Sequence, residues 1–282
     1  MFSPIDDATA ARMRAAQQHA ADQFGRTPAG EPVWGWRGRT IGSRAEDADG
    51  PAWLRIQSTR ADQAGGKIWE GTELANRLMP NLAKPALLEL RDWELDGFAY
   101  RAELTEFITD PVCSPDPILR TELELPAEWF DELRANLAII AAVDTDRTVI
   151  SQDYLDRTMP RFLDVAAGRA TRAPAWTTAH GDVHFANLTA PGLRLLDLEG
   201  FGAAPAGYDA ATLYTYSLLA PRTAAAVYAA FADILDTTAG RFAQLAITTE
   251  LLQSCTRGDN LELQDALEGR LRALIGPPLT TR

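Results

Sequence analysis

A proline-rich polar stretch at residues 109–117, TDPVCSPDP, separates two parts of the chain whose hydrophobic periods differ. Before it, short β-rich runs are joined by turn residues. Residues 51–58 (PAWLRIQS) read as a strand after the AEDADG turn, and residues 86–93 and 99–108 read as two more joined by Asp96-Gly97, a tight-hairpin signal. One helix interrupts them after Gly65-Gly66, with Ile68, Leu74 and Leu78 as its apolar side and Pro80 as its stop. An Ala-rich helix over residues 5–24, closed by Gly25, precedes the strands, and its thin apolar side suits packing on an edge. After the break the pattern is helical near residues 127–142, 151–167, 209–219, 222–235, 241–255 and 260–275. The expected class is α+β: an antiparallel sheet lobe with one helix at 1–108, a hinge at 109–117, and a mainly helical lobe at 118–282.

The 282 residues carry Lys+Arg 27 against Asp+Glu 39, a net charge of −12. This field repels a nucleic-acid backbone or an anionic membrane and favours a cationic small molecule. Cys113 and Cys255 form no metal-ligand or disulfide pattern, the first residues lack a signal-peptide profile, and no apolar run is long enough to span a bilayer. A cytoplasmic protein without nucleic-acid or membrane partners is expected.

Residues 177–213 stand apart. His180 and His184, two of only 3 histidines, fall here with Asp182, Asn187, Asp197 and Glu199. FANLTA and LRLLDL read as a hairpin about Pro191-Gly192, which would bring Asp182 and Asn187 to face Asp197. Such oxygen ligands suit Mg²⁺ held together with substrate phosphates.

HGDVHFAN followed by LLDLEGFG resembles the catalytic loop and metal-binding strand of aminoglycoside phosphotransferases and choline-kinase-like small-molecule kinases. The resemblance implies a bilobal protein-kinase-like fold that uses ATP and Mg²⁺. It implies Asp182 as the base that orients the attacking hydroxyl, and Asn187 and Asp197 as metal ligands. His180 would support the loop, Glu199 would join the metal shell or bind substrate, and Asp209 would either tie the loop down or cap the next helix. In the sheet lobe it implies Arg55 as the cation on the phosphates, with Lys67 as competitor, and Glu73 on the helix as its partner, with Glu70 as competitor. Gly35, Gly38 and Gly42 lie where a phosphate loop would be, though their spacing departs from GxGxxG, and the hinge backbone TEFI from Thr105 to Ile108, with Glu106 and Ile108 as its binding residues, would face adenine.

Two other readings use the same residues. His180, Asp182 and His184 could ligate a hydrolytic metal, or the chain could be a kinase-like binding module without catalysis. Acids cluster at Glu103, Glu106, Asp110, Asp116, Glu122, Glu124, Glu128, Asp131 and Glu132, either as solvated helix faces or as a wall that attracts a cation. The expected acceptor is a hydroxyl on a small polar, amine-bearing molecule: an aminoglycoside-like antibiotic, or a metabolite such as choline, homoserine or a sugar.

Overall fold

A computed structural model describes residues 3–163 and 171–275. The chain forms two compact units, Met1–Leu78 with Lys84–Thr109, and Met79–Ala83 with Asp110–Arg282.

The first unit is a five-stranded antiparallel sheet with a helix on each face. Helix α1 (Asp7–Phe24) starts where the Asp6 carboxylate accepts the Thr9 N–H at 2.7 Å and ends at Gly25 in the left-handed region. Strands β1 (Thr27–Trp34), β2 (Thr40–Asp47), β3 (Gly50–Arg60), β4 (Leu87–Leu95) and β5 (Phe98–Glu106) lie in the order β1-β2-β3-β5-β4. Asp96 and Gly97 both take positive φ, as the β4–β5 hairpin requires. Helix α1 lies on the face of the sheet, not on its edge. Its Met13, Ala16, Ala20 and Ala21 pack with Ile41, Leu54, Ile56 and Leu104, because small residues let the helix approach the strands closely.

Helix α2 (Lys67–Leu78) holds the opposite face. The Trp69 carbonyl accepts from Gln57 on β3 at 3.1 Å and from Arg101 on β5 at 2.8 Å. Its buried side is Gly71 and Ala75, while Ile68 and Leu78 are 49% and 41% exposed, which corrects the apolar face expected from the sequence.

The second unit is mainly helical: α3 (Ala127–Ala141), α4 (Gln152–Thr158), α5 (Tyr208–Tyr216), α6 (Pro221–Leu235), α7 (Thr238–Cys255) and α8 (Gln264–Ile275). The helix expected over 151–167 gives way to a 3-10 turn at Met159–Arg161, where Pro160 breaks the pattern, and its positions 164–167 lie outside the described residues. A small antiparallel pair, β6 (Trp176–Ala179) and β7 (Gly202–Pro205), was not expected. The FANLTA–LRLLDL hairpin closes with the single bridge Leu188–Leu195 rather than full strands. Residues 111–114 run along its outer side: Ala190 N–H donates to Pro111 O at 3.1 Å, Cys113 N–H to Leu188 O at 2.8 Å, and Ser114 N–H to Phe185 O at 3.2 Å. Among the described residues no helix is long and apolar enough to cross a membrane.

Candidate active site

Strand β6 runs directly into His180-Gly181-Asp182, and β7 begins directly after Leu198-Glu199-Gly200-Phe201. The pairing of Ala179 with Gly202 therefore brings the entry of one loop beside the exit of the other. Asp209, in the first turn of α5, fixes the first loop. Its carboxylate accepts the His180 N–H at 2.8 Å and the Gly181 N–H at 2.9 Å. Gly207, not Asp209, is the N-cap of α5, so of the two roles open in the sequence the geometry shows the loop tie. Gly181 turns with φ 92° to present its N–H, and a Cβ there would lie 2.7 Å from Val149. Burial pushes the Asp209 carboxyl up, and His180 with the two N–H groups draws it partly back.

His180 is 1% exposed, and its ring bridges the two loops. Nε2–H donates to Leu196 O at 2.9 Å, since a carbonyl only accepts, and Nδ1 accepts the Asp182 N–H at 3.3 Å. Both ring nitrogens thus serve the backbone. A metal held by His180, Asp182 and His184 would break this arrangement, and among the described residues no group of three or more His, Cys, Asp or Glu could hold a metal ion.

Asn187 ends a 3-10 turn (Phe185–Asn187). Its Nδ2 donates to Asp182 O at 3.0 Å and reaches Asp182 Oδ2 at 3.5 Å, so Oδ1, the atom a hard cation takes, is not used in those bonds. Leu196 N–H donates to Asn187 O at 2.9 Å, which sets Asp197 beside Asn187 across the hairpin. Asp197 is exposed and has φ 60°, ψ 51°, a left-handed conformation unusual for a non-glycine residue. Glu199 follows within a 3-10 turn (Leu198–Gly200) rather than on a strand. Asp182 and Asn187 thus hydrogen-bond within one loop, and the backbone pairing of Leu196 with Asn187 carries Asp197 on the facing segment of the hairpin.

The Asp182 side chain is 57% exposed while its partner His184 is nearly buried, with Nε2 3.3 Å from Asp182 Oδ1. The protein around Asp182 by itself would raise its carboxyl, but the hydrogen bond and charge of His184 outweigh that and hold it below the ordinary carboxylate value. High solvent exposure agrees with the lowered direction: Asp182 is an ionised acceptor at neutral pH. His184 in turn meets Tyr216 edge-on, with ring centroids 5.5 Å apart.

In the first unit the expected cation pair is rearranged. Arg55 lies opposite Glu103 in the β3–β5 register and pairs with it at 3.1 Å, Glu103 being 2% exposed. Glu73 pairs instead with Arg101 at 3.5 Å, and Arg101 also binds Asp92 at 2.6 Å. Arg101 stands between α2 and the sheet, so it takes the helical carboxylate expected for Arg55. Lys67 opens α2 and Glu70 stands in its first turn. Gly35 and Gly38 close a tight turn between β1 and β2, and Gly42 lies within β2 opposite Arg55. Glu106 N–H is committed to Ala86 O at 2.9 Å, leaving the end of β5 through Ile108 as the stretch beyond the sheet. The sequence reading gave Arg101 no role and took Glu103 only as one acid of the cluster; both are charged residues in the otherwise apolar run FAYRAEL, which was the available signal.

Several acids of the 103–132 cluster have structural duties. Glu103 holds Arg55, Asp116 holds Arg120 at 2.6 Å, and the Glu122 carboxylate accepts the Arg222 and Thr223 N–H groups that open α6 at 3.0 and 2.8 Å. Burial opposes the Glu122 charge, but these N–H groups outweigh it and lower its carboxyl.

A sheet unit followed by a helical unit, with an Asp-Asn-Asp constellation on paired loops of the second, is the protein-kinase-like fold. The chain has this fold in the form seen in aminoglycoside phosphotransferases. It matches aminoglycoside phosphotransferase APH(4)-Ia with a TM-score of 0.61 at 13% identity, over 93% of this chain and 98% of that one. A thermostable mutant of that protein, in ternary complex with AMP-PNP and hygromycin B, matches with a TM-score of 0.64 at 14% identity, over 95% and 100%. Aminoglycoside-3'-phosphotransferase of type VIII matches with a TM-score of 0.53 at 14% identity, over 83% and 97%. No protein-family model and no curated protein sequence matches the chain.

Proposed function

We propose that this chain is an ATP-dependent phosphotransferase acting on a hydroxyl of a small, polar, amine-bearing molecule. The observation that carries the reading is the loop in which Asn187 bonds to Asp182, fixed by Asp209 on the His180 and Gly181 N–H groups and paired through Leu196 N–H on Asn187 O with the segment that bears Asp197. The same fold in structures that bind AMP-PNP and hygromycin B supports it.

Asp182, ionised and exposed, accepts the acceptor hydroxyl's proton and orients its oxygen for in-line attack. Asn187 Oδ1 and the Asp197 carboxylate would hold Mg²⁺. With so few protein oxygens, its shell would be completed by phosphate oxygens and water, which suits this ion. When bound, it neutralises charge that develops on the phosphates. Within the first unit, Arg55, set by Glu103, is the cation proposed for nucleotide phosphates, and the backbone near Ile108 is the stretch proposed for the base. His180 and Asp209 act on loop geometry only. Glu199 stays at the margin of the metal shell.

The acceptor is read from charge: a net −12 favours a cation. Aminoglycoside-like antibiotics come first, and choline-like amino alcohols, homoserine and sugars follow.

The experiment is a phosphate-transfer assay with ATP and Mg²⁺ over these acceptor classes, on the wild type and on Asp182→Asn. The expected outcome is transfer by the wild type and a loss of about 10²-fold or more in kcat for Asp182→Asn, with nucleotide affinity retained. Transfer at near wild-type rate by the variant sinks the assignment of the base. Nucleotide binding without transfer to any acceptor class would support the binding-module reading instead.

A further inference from the structure

We infer that Arg147 is a positioning residue for the Asp197 carboxylate, setting the turn on which that carboxylate is presented. The inference rests on the reading of Asp197 as a metal ligand and adds a residue with no counterpart in the sequence motifs. Arg147 lies in the loop after α3, far from Asp197 in sequence, and is 9% exposed. Its Nη2 donates to Glu199 O at 2.6 Å and its Nε to Phe201 O at 2.9 Å, while its guanidinium sits 4.3 Å from the Phe201 ring centroid. One planar fork thus holds the carbonyls two and four residues beyond Asp197.

Asp197 needs such a hold because its left-handed backbone is an unfavourable state for a residue with a Cβ, one that persists only where its surroundings fix it. On the upstream side, His180 holds Leu196 O and Asn187 holds Leu196 N–H. On the downstream side, Arg147 holds the turn. Arg147 is itself fixed: Ala203 N–H donates to Arg147 O at 2.8 Å, and Val149 N–H donates to Ala203 O at 2.9 Å. The chains approach so closely that a Cβ on Gly202 would lie 2.6 Å from the Arg147 carbonyl carbon, so the loop that carries Arg147 and the strand that follows the turn keep one spacing. Lysine has the charge but not the fork, so it cannot bridge two carbonyls in a plane. Without the fork the turn is free to relax, and the Asp197 carboxylate is no longer presented in one position.

The test is Mn²⁺ binding followed by electron paramagnetic resonance in the presence of AMP-PNP, on wild type, Arg147→Lys and Arg147→Met, beside calorimetric binding of AMP-PNP without metal. The expected result is Mn²⁺ affinity weakened about 10-fold or more in both variants, with metal-free AMP-PNP affinity within about twofold of wild type. A purely structural role would lower the melting temperature and leave Mn²⁺ affinity at the wild-type value in the folded variants, and that result overturns the inference. Should Arg147→Met not fold, Arg147→Lys alone decides, because it keeps the stem and the charge. Asp197→Asn is the reference: if it binds Mn²⁺ as the wild type does, the metal reading of Asp197 fails, whatever Arg147 does.

Discussion

Single residues of the second unit show how one buried carboxylate can shape a loop and another can carry a pH signal. Asp209 serves two N–H groups and so fixes the loop that carries Asp182. Glu250 on α7 accepts the Tyr208 hydroxyl at 2.6 Å in a partly buried setting. Burial pushes its carboxyl up most, the Tyr208 hydrogen bond opposes this, and nearby Asp182 adds to the rise. A carboxyl raised on folding binds its proton to a higher pH in the folded chain than in the unfolded one, where it titrates near about 4.3. Its contribution to stability is therefore whole below that value and is lost as pH rises through the folded value. Glu250→Gln removes this titration and can still accept from Tyr208. The melting temperature of Glu250→Gln relative to wild type is expected to rise between about pH 4 and about pH 7, followed by calorimetry in matched buffers. A difference that stays flat or falls with pH would show that Glu250 is not raised.

Elements differ in how much of their packing is local, and α2 marks the limit. Its stripe of Ile68, Leu74 and Leu78 pointed to one apolar face, yet the helix packs through Gly71 and Ala75. Ala75→Leu is expected to destabilise the protein by about 1–3 kcal/mol through overpacking. Ile68→Ala, at a half-exposed position, is expected to stay within about 0.5 kcal/mol. Urea unfolding of both variants measures this, and the reverse ranking would return the buried face to Ile68. The same contrast explains what could be read beforehand. The α1 caps at Asp6 and Gly25, the Asp96-Gly97 hairpin and the Asp182–Asn187–Asp197 grouping each depend on residues close in sequence, so local chemistry exposes them. Arg55–Glu103 depends on the pairing of β3 with β5, which are separated by α2 and β4, and Glu73–Arg101 depends on the packing of α2 against β5. Strand register across such a gap has no local signal. Arg147 was hidden for the same reason, since its partners lie 52 and 54 residues away.

For the whole molecule, the net charge of −12 must serve an anionic donor and the proposed cationic acceptor together. The field of the chain raises the local concentration of a cation and lowers that of an anionic nucleotide, whose binding must then come from short-range positive groups, the role proposed for Arg55 and for a metal ion. Glu103, Asp116 and Glu122 are bound to groups of the protein itself, so these three acids of the cluster are spoken for by structure. Surface fields fade with salt, because the screening length falls from about 30 Å at 0.01 M to about 10 Å at 0.1 M. The two KM values should therefore respond differently over that range. KM for an amine-bearing acceptor is expected to rise several-fold, while KM for Mg²⁺-bound ATP holds or falls. Steady-state kinetics at fixed free Mg²⁺ read both. An acceptor KM indifferent to salt would separate the acidic surface from substrate choice and move the acceptor class to uncharged sugars, with Asp182, Asn187 and Asp197 keeping their roles.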